Sequence, residues 1–243
     1  LGSSQSIASP NVVLNTIMAD ELKQFADRLE KAESFHQALQ ELLRDTFRDH
    51  QRIIFDGNGY DDDWVQEAKR RGLSNLRDTV DCMPAYIDEK NVALFSRFGI
   101  LTPEEMHARY EIHLENYCKV TAIEAATLRD MTLRGILPAV TRYTGDLAKG
   151  VVRKRQAEMT TPCRVESYLV QQLDALSGDL LDACQAMSRA LEAADAGIDA
   201  ARYYRDQVAS RLEEMRSIID RMEPLVGADY WPYPTYADIL FSV

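Results

Sequence analysis

Two long apolar stripes in the last third of the chain constrain its fold more than any other feature. The first stripe advances in steps of four, four and three residues, which keeps one face of an α-helix apolar over its whole length. Its members are Val165, Leu169, Leu173, Leu176, Leu180, Cys184, Met187 and Leu191. The second stripe consists of Ile198, Ala201, Tyr204, Val208, Leu212, Met215, Ile219, Met222 and Val226. Because only a partner helix can cover each stripe, and a short connection joins them, the pair predicts an antiparallel helical hairpin.

Helical periodicity also runs through most of the preceding sequence, whereas the alternation typical of strands is rare. A first helical region begins after Pro10 and forms one long helix or two, with Ser34 as a possible break. A glycine-rich turn at 55–60 precedes a short helix that starts at Asp61 and ends before Gly72. Residues 73–99 are predicted to form short helices. The fold class is therefore all-α, a multi-helix bundle that includes the long antiparallel hairpin.

The clearest helix start is the sequence Thr102-Pro103-Glu104-Glu105. Threonine supplies the cap hydroxyl, proline suits the first helical position, and a glutamate three residues after the cap closes a capping box. A long helix is predicted from here to Met131. Pro138 lacks an N–H and clashes with the preceding turn, so it predicts a kink or a restart of the helix.

The last fifteen residues change in character and contain Tyr230-Trp231-Pro232-Tyr233-Pro234-Thr235-Tyr236. The two prolines oppose a helix, and four aromatic side chains in seven residues do not suit a solvated tail. We therefore predict an extended aromatic C-terminal tail, residues 229–243, that docks on another surface.

Charge and composition exclude several classes of function. The chain has 39 acidic and 28 basic side chains and a net charge of -11, which opposes binding to nucleic acid or to an anionic membrane. No apolar run approaches the roughly 20 residues that span a bilayer. The four cysteines lack the spacings of zinc or redox motifs and suggest reduced thiols in a cytoplasmic protein. They are Cys82, Cys118, Cys163 and Cys184.

Two Glu-x-x-His pairs, Glu33/His36 and Glu104/His107, offer a candidate metal site. Paired motifs of this kind build the carboxylate-bridged di-metal centre of ferritin-like bundles, where the ligands project from mid-helix into the core. Glu104, however, stands in a first helical turn, where a glutamate ordinarily favours the helix dipole. His107 and Glu111 lie one turn apart but have no evident third ligand. Capping and solvated charge are the more economical interpretation.

Other motifs for chemistry are incomplete. Asp56, Asn58 and Glu67 occupy the first, third and twelfth positions of a possible calcium loop, but Asp61 stands where the loop needs glycine. A turn followed by a helix start is the simpler interpretation. The basic run Arg153-Lys154-Arg155 suits a helix C-terminus better than an anion site. The sequence contains no glycine-rich phosphate loop and no nucleophile motif.

Several stretches, taken in order, carry a family resemblance. They are Gly2-Ser3-Ser4-Gln5-Ser6-Ile7-Ala8, Pro10-Asn11, Val13-Leu14-Asn15-Thr16, Phe55 to Tyr60, Arg70-Arg71-Gly72-Leu73, Leu101-Thr102, His107-Ala108-Arg109-Tyr110-Glu111, Glu115-Asn116-Tyr117, Trp231-Pro232-Tyr233-Pro234-Thr235-Tyr236 and Leu240-Phe241. Together they resemble the C-terminal helical region of type III glutamine synthetases. The first stretch is similar to the segment that directly follows the last active-site strand of that family.

The resemblance implies a parent enzyme that condenses glutamate with ammonia at the expense of ATP, with magnesium, in a cytoplasmic dodecamer of two hexameric rings. The family's catalytic and metal-binding residues lie upstream, so the resemblance assigns no catalytic, cofactor or metal residue here. Gly2, Ser3 and Ser4 are expected to lie nearest the missing site. The implied organisation is a helical region at 1–160 that continues from the catalytic domain, the hairpin at 161–228 and a docking tail at 229–243.

Three functions remain open from the sequence. The first is a structural part of a homo-oligomeric glutamine synthetase, inactive alone, whose helices brace the catalytic domain and contact other subunits. The second is a free-standing helical module whose hairpin binds a partner helix. The third is the ferritin-like di-metal bundle.

Overall fold

The computed structural model describes residues 6–157, 160, 162–193 and 198–241, and this part of the chain is helical without any strand. The all-α prediction is confirmed. Contacts divide the chain into two compact units, Leu1–His113 and Leu114–Val243. The predicted organisation into 1–160, 161–228 and 229–243 stays a prediction. None of the described helices is both long and apolar enough to cross a lipid bilayer.

The first unit is built from short and medium helices. They are α1 (Ala8–Glu30), α2 (Phe35–Asp49), a 3-10 turn (Gln51–Ile53), α3 (Asp62–Arg70), α4 (Thr79–Tyr86), α5 (Glu89–Arg97) and the start of α6 (Pro103–Met131). The first helical region is thus two helices, with the break before Phe35. Helix α1 packs against α2 and α5, and α4 packs against α5. Arg97 of α5 donates to Asp20 of α1 over 2.7 Å.

The predicted helix ends in this unit are present. Gly72 follows α3 at a φ of +71°, a left-handed conformation that glycine adopts without steric penalty. The N–H of Leu73 then reaches the carbonyl of Ala68 at 2.9 Å, which closes the helix end. At the start of α6 the Thr102 hydroxyl accepts the Glu105 N–H at 3.2 Å, and the Glu105 carboxylate accepts the Thr102 N–H at 2.8 Å. The capping box is confirmed.

The second unit contains the predicted hairpin. Its helices are the end of α6, α7 (Leu137–Gln156), α8 (Arg164–Glu192), α9 (Ile198–Tyr203), α10 (Ser210–Met222) and α11 (Tyr236–Phe241). Helix α8 packs against both α7 and α10. The hydroxyl of Tyr203, near the start of the second arm, donates to the carbonyl of Ala190, near the end of α8. The two arms are therefore antiparallel, as predicted, while the connection at 194–197 lies outside the described residues.

The core of the second unit follows the two stripes with one correction. Its buried residues include Leu173, Leu176, Leu180, Cys184 and Met187 from α8 and Val208, Met215, Ile219 and Met222 from the second arm. Val165, which belongs to the predicted stripe, is 69% exposed. The stripe extends beyond the part of α8 that its partner helices cover, so helical periodicity continues where burial does not.

Two π-helical segments interrupt the helices. The first (Thr132–Ile136) lies between α6 and α7, and Pro138 occupies the first turn of α7. The wider π-helical turn accommodates Pro138, whose ring would otherwise clash with the carbonyl four residues earlier. The second (Tyr204–Ala209) lies between α9 and α10 and was not predicted. Tyr203 and Tyr204 both pack against the core where this segment begins.

The C-terminal tail is only partly extended. Residues 231–235 contain no helix, but Tyr236–Phe241 form α11. The prediction of an extended chain is therefore wrong for residues 236–241. Both prolines precede this helix, and Thr235 caps it: its hydroxyl accepts the Asp238 N–H at 3.2 Å, and the Asp238 carboxylate accepts the Thr235 N–H at 2.8 Å. Thr-x-x-Asp is a capping signal that the sequence already contained.

Candidate functional site

The predicted metal-binding pairs do not come together. Glu33 lies before the first turn of α2, and His36 lies within it. Glu104 lies in the first turn of α6, and His107 lies just after that turn. All four side chains are exposed, as is Glu111. Within the described residues no three His, Cys, Asp or Glu side chains cluster as metal ligands do. A ferritin-like centre needs ligands that converge inside a bundle, so the structure lends that alternative no support.

The possible calcium loop is used differently. Asp56 and Asn58 are exposed in the turn, whereas Glu67 lies in α3 and pairs with Arg70 and Arg71. Hydrogen bonds from Arg70 and then Arg71 hold the pKa of Glu67 at about 2, below its usual 4.5. The carboxylate that would be the bidentate calcium ligand is thus already engaged by two guanidinium groups. The interpretation as a turn followed by a helix start agrees with these contacts.

Arg71 organises the turn before α3, a role that the sequence did not reveal. Its guanidinium donates to the main-chain carbonyl of Ile54 at 2.7 Å and lies 5.8 Å from the centre of the Trp64 ring. Trp64 in turn stacks on Phe55, with ring centres 4.5 Å apart. These contacts tie the start of the turn to the helix that follows it, so residues 56–61 project from a fixed base. The sequence did contain one indication of this contact, since the aromatic residues Phe55 and Trp64 stand on either side of a glycine-rich turn.

Residues 58–60 form the exposed tip of that turn. The N–H of Tyr60 donates to Oδ1 of Asn58 at 3.1 Å, and the N–H of Asp61 donates to the carbonyl of Asn58 at 3.3 Å. The Tyr60 side chain is fully exposed. An Asn side chain that accepts from the main chain two residues later is a recurrent turn geometry, here followed by a glycine that adds no side chain.

Helices α1 and α2 expose an unusual number of large apolar side chains. On α1, Leu14, Met18 and Leu22 recur every four residues and are 59%, 57% and 59% exposed. On α2, Leu43 and Phe47 are likewise exposed at a spacing of four. Contiguous exposed apolar residues are rare in proteins without a partner. We call the first three residues the α1 stripe, and it is the strongest candidate for an interaction surface in the first unit.

The basic run Arg153-Lys154-Arg155 forms the last turn of α7, as predicted. Cations there complement the negative end of the helix dipole. Lys154 also pairs with Glu166 in the first turn of α8, a contact that raises the pKa of the lysine and lowers that of the glutamate. The basic run therefore stabilises the end of α7 and its contact with α8.

Three of the cysteines are unsuited to nucleophilic chemistry. Burial raises the pKa of the thiols of Cys82, Cys118 and Cys184. A raised pKa keeps a thiol protonated at neutral pH, whereas the reactive species is the thiolate.

The aromatic tail docks within its own unit, on α7 and the π-helical segment before it. The Tyr233 hydroxyl lies 3.4 Å from the Met131 carbonyl, and a Cβ placed on Gly135 would come within 2.5 Å of that hydroxyl. Further along α7, Tyr230 packs against Tyr143 with ring centres 5.0 Å apart. The sequence suggested that the tail docks on a neighbouring subunit, whereas the contacts described here lie within the tail's own unit.

A solvent-exposed hydrogen bond lies at the other end of this contact. The Tyr230 hydroxyl donates to the Asp146 carboxylate at 2.9 Å, and this hydrogen bond raises the pKa of Tyr230. The pKa of Asp146 is lowered, first by its hydrogen bond from Lys149 and second by the one from Tyr230. Gly135, Tyr143 and Asp146 were missed because their importance comes from contact with a distant segment.

The residues expected to lie nearest an active site, Gly2, Ser3 and Ser4, lie outside the described residues. Among the described ones, the geometry yields packing surfaces, caps and ion pairs. It assembles no set of groups suited to phosphate transfer or to activation of ammonia.

Comparison with known proteins gives a consistent result. The model for the glutamine synthetase C-terminal domain matches residues 38–155. A glutamine synthetase of Butyrivibrio fibrisolvens is 34% identical over 98% of the chain, and a type-3 glutamine synthetase of Dictyostelium discoideum is 32% identical over 99%. A glutamine synthetase of Bacteroides fragilis is 27% identical over 99%. The chain spans about a third of the length of these relatives, 33%, 34% and 35% respectively.

Proposed function

This chain belongs to the glutamine synthetase family, and from that premise we propose that it is the C-terminal helical part of such an enzyme, with a structural and oligomerisation role. The complete protein ligates ammonia to glutamate at the expense of ATP in the cytoplasm. The 243-residue chain alone does not catalyse this reaction. Its helices brace the catalytic domain and supply contacts to other subunits of a homo-oligomer, a dodecamer by family resemblance.

The α1 stripe is the observation that carries this proposal. Leu14, Met18 and Leu22 recur on one helical face, each more than half exposed, although α1 packs against α2 and α5 elsewhere. Burying a side chain of this size yields about 1.5–3 kcal/mol. A helix that leaves three of them in water is built to be covered by another surface. The catalytic domain of the same polypeptide is the surface that the family membership supplies.

We place the chemistry of the parent enzyme outside this chain. Magnesium prefers oxygen ligands from carboxylates, and ATP needs main-chain N–H groups or cations that converge on its phosphates. The described residues lack a three-ligand cluster, and the basic run at 153–155 ends a helix and pairs in part with Glu166. These donors do not fit either group, so we assign neither ATP nor magnesium to this chain.

An activity measurement tests the proposed division of labour. The purified 243-residue chain is supplied with glutamate, ammonia, ATP and magnesium, and glutamine is quantified. We expect no glutamine above the level without protein, because no described group can activate ammonia or glutamate. Glutamine formed by the chain alone would overturn the proposal.

A second experiment tests the α1 stripe in the complete polypeptide. The combined substitution Leu14→Gln, Met18→Gln and Leu22→Gln should loosen the helical part from the catalytic domain that it braces. We therefore expect loss of subunit assembly, measured by size-exclusion chromatography with light scattering, together with reduced glutamine formation. The matched control is Glu21→Gln, a change at an exposed position between two of these residues. It should leave both properties unchanged.

Circular dichroism of the isolated chain with the same triple substitution separates loss of contact from loss of folding. Because the three side chains are exposed, the helical signal should be kept. Normal assembly and activity of the complete triple variant would show that another surface makes the contact. In that case the α1 stripe would not carry the proposed structural role.

A further inference from the structure

We propose that Asn58 is a site of spontaneous covalent modification, at which the side-chain amide is lost and an aspartate or isoaspartate results. The inference does not depend on the proposed function. It rests on the exposed tip of the turn before α3, where Asn58 is followed by Gly59 and both residues face solvent.

The reaction needs only water. The main-chain nitrogen of Gly59 attacks Cγ of Asn58, which forms a new C–N bond and a five-membered succinimide. The bond from Cγ to Nδ2 breaks, and Nδ2 leaves as ammonia with the proton that Gly59 N–H gives up. Water then opens the ring at one of its two carbonyl carbons. One product is aspartate with a normal main chain, and the other is isoaspartate, whose main chain runs through the side-chain carbon.

The structure of the turn favours this attack in two ways. Gly59 has no side chain to obstruct its own nitrogen, and a Cβ placed there would find no atom within 4 Å, so the space around it is open. The Tyr60 N–H donates to Oδ1 of Asn58 at 3.1 Å. Negative charge develops on that oxygen as the nitrogen attacks, and an N–H already aimed at it stabilises the charge.

The base of the turn keeps this tip in place. Arg71 donates to the carbonyl of Ile54, and Phe55 stacks on Trp64. Gly57 lies against the same Phe55 ring, since a Cβ there would come within 2.7 Å of it. These contacts support the geometry in which Oδ1 accepts the Tyr60 N–H, and the tip itself is exposed to water and hydroxide.

Other asparagines of the chain provide internal controls. Asn91 lies in α5, is half-buried and donates through Nδ2 to the Ala85 carbonyl. Asn116 lies within α6. Asn75 is the closest match, because it is exposed and outside any helix, but leucine follows it. A leucine side chain hinders the attacking nitrogen, so Asn75 isolates the effect of the following residue.

Conversion of Asn58 changes the turn in a defined manner. Either product adds a negative charge close to Asp61, Asp62 and Asp63, at the start of α3. Isoaspartate also lengthens the main chain by one methylene between residues 58 and 59. That extra length is incompatible with the hydrogen bond from Tyr60 N–H as it now stands.

The test is incubation of the intact 243-residue protein in neutral and in mildly alkaline buffer, followed by proteolytic peptide mapping with mass spectrometry. Replacement of an amide by a carboxyl adds about one dalton. We expect this gain at Asn58, split between two chromatographically distinct products, and faster in the alkaline buffer. Asn75 and Asn91 in the same sample should convert at least about tenfold more slowly.

The substitution Gly59→Ala identifies the mechanism. The structure has room for the added methyl, so the fold should be kept, which circular dichroism verifies. Conversion at Asn58 should slow by at least about tenfold, because the side chain hinders the nitrogen and restricts the main chain. Equal rates at Asn58 and Asn75, or an unchanged rate in the Gly59→Ala protein, would overturn the inference.

Discussion

The docked tail makes the substitution Gly135→Ala unusually informative. Gly135 lies in the π-helical segment before α7, beneath the Tyr233 side chain. A Cβ at this position would lie 2.5 Å from the tyrosine oxygen and 2.9 Å from the ring carbon that bears it. Pro232 and Pro234 restrict the main chain on both sides of Tyr233, which limits how far a backbone adjustment can move the ring.

Two opposing effects determine how much Gly135→Ala changes the free energy of unfolding. Glycine inside a helix is less stable than alanine by about 0.5–1 kcal/mol, so the substitution alone would stabilise the protein. Forcing a methyl into an occupied space costs about 1–3 kcal/mol. The contact distances lie well below ordinary van der Waals separation, so the second effect should win. We expect the free energy of unfolding to fall by about 1–2 kcal/mol.

A double-mutant cycle with Tyr233→Ala isolates the contact. Without the tyrosine ring, Gly135→Ala should become stabilising by about 0.5–1 kcal/mol, since only the helix preference remains. Urea denaturation followed by circular dichroism measures all four proteins. The matched control is Gly178→Ala in α8, where a Cβ would meet no atom within 4 Å and the same small stabilisation is expected in either background.

The sign change between the two backgrounds is the decisive result. If Gly135→Ala stabilises the protein with Tyr233 present, the tail does not rest on the π-helical segment. If the substitution destabilises both backgrounds equally, the cause lies in the segment itself and not in the tail. Either result would refute the argument for docking.

Three further predictions concern other parts of the fold. Thr102→Ala should lower the free energy of unfolding by about 1 kcal/mol in urea denaturation through loss of the α6 cap, whereas Thr127→Ala, exposed within the same helix, should change it little. Glu67 has a pKa of about 2 in the folded protein against an ordinary value of 4.5. Its contribution to stability is therefore complete above pH 4.5 and is lost as the pH falls towards 2. Glu67→Gln should remove this part of the pH dependence, measured by acid unfolding with tryptophan fluorescence. Leu180→Ala should lower the free energy of unfolding by about 2–5 kcal/mol because the side chain is fully buried, while its exposed neighbour Leu181→Ala should have a much smaller effect.

Much of the fold could be predicted because its signals are local. The spacing of apolar residues predicted the hairpin, and the capping box at Thr102 predicted the start of α6, which is present in the hydrogen bonds. The basic turn at 153–155 ends α7 as expected. The apolar stripe, the cap and the basic turn are each defined by residues within a turn or two of one another, so spacing alone reports them.

The surface that receives the tail could not be predicted in the same way. Tyr233 and Met131 are 102 positions apart, and Tyr230 and Asp146 are 84 apart. The Arg71 guanidinium donates to the carbonyls of Ile54 and Arg52, which are 17 and 19 positions away. No periodicity links residues at such separations, so the identity of the partner depends on how the helices are arranged in space.

The sequence by itself determined the helical class, the helix ends and the apolar faces, because backbone hydrogen bonding and side-chain spacing act over a few residues. It also carried the family resemblance. Tertiary structure alone decided which apolar residues are covered, as the exposed Val165 and the exposed α1 stripe show. It also decided where Tyr233 docks. Burial depends on which distant surfaces meet, and that is settled only when the whole chain packs.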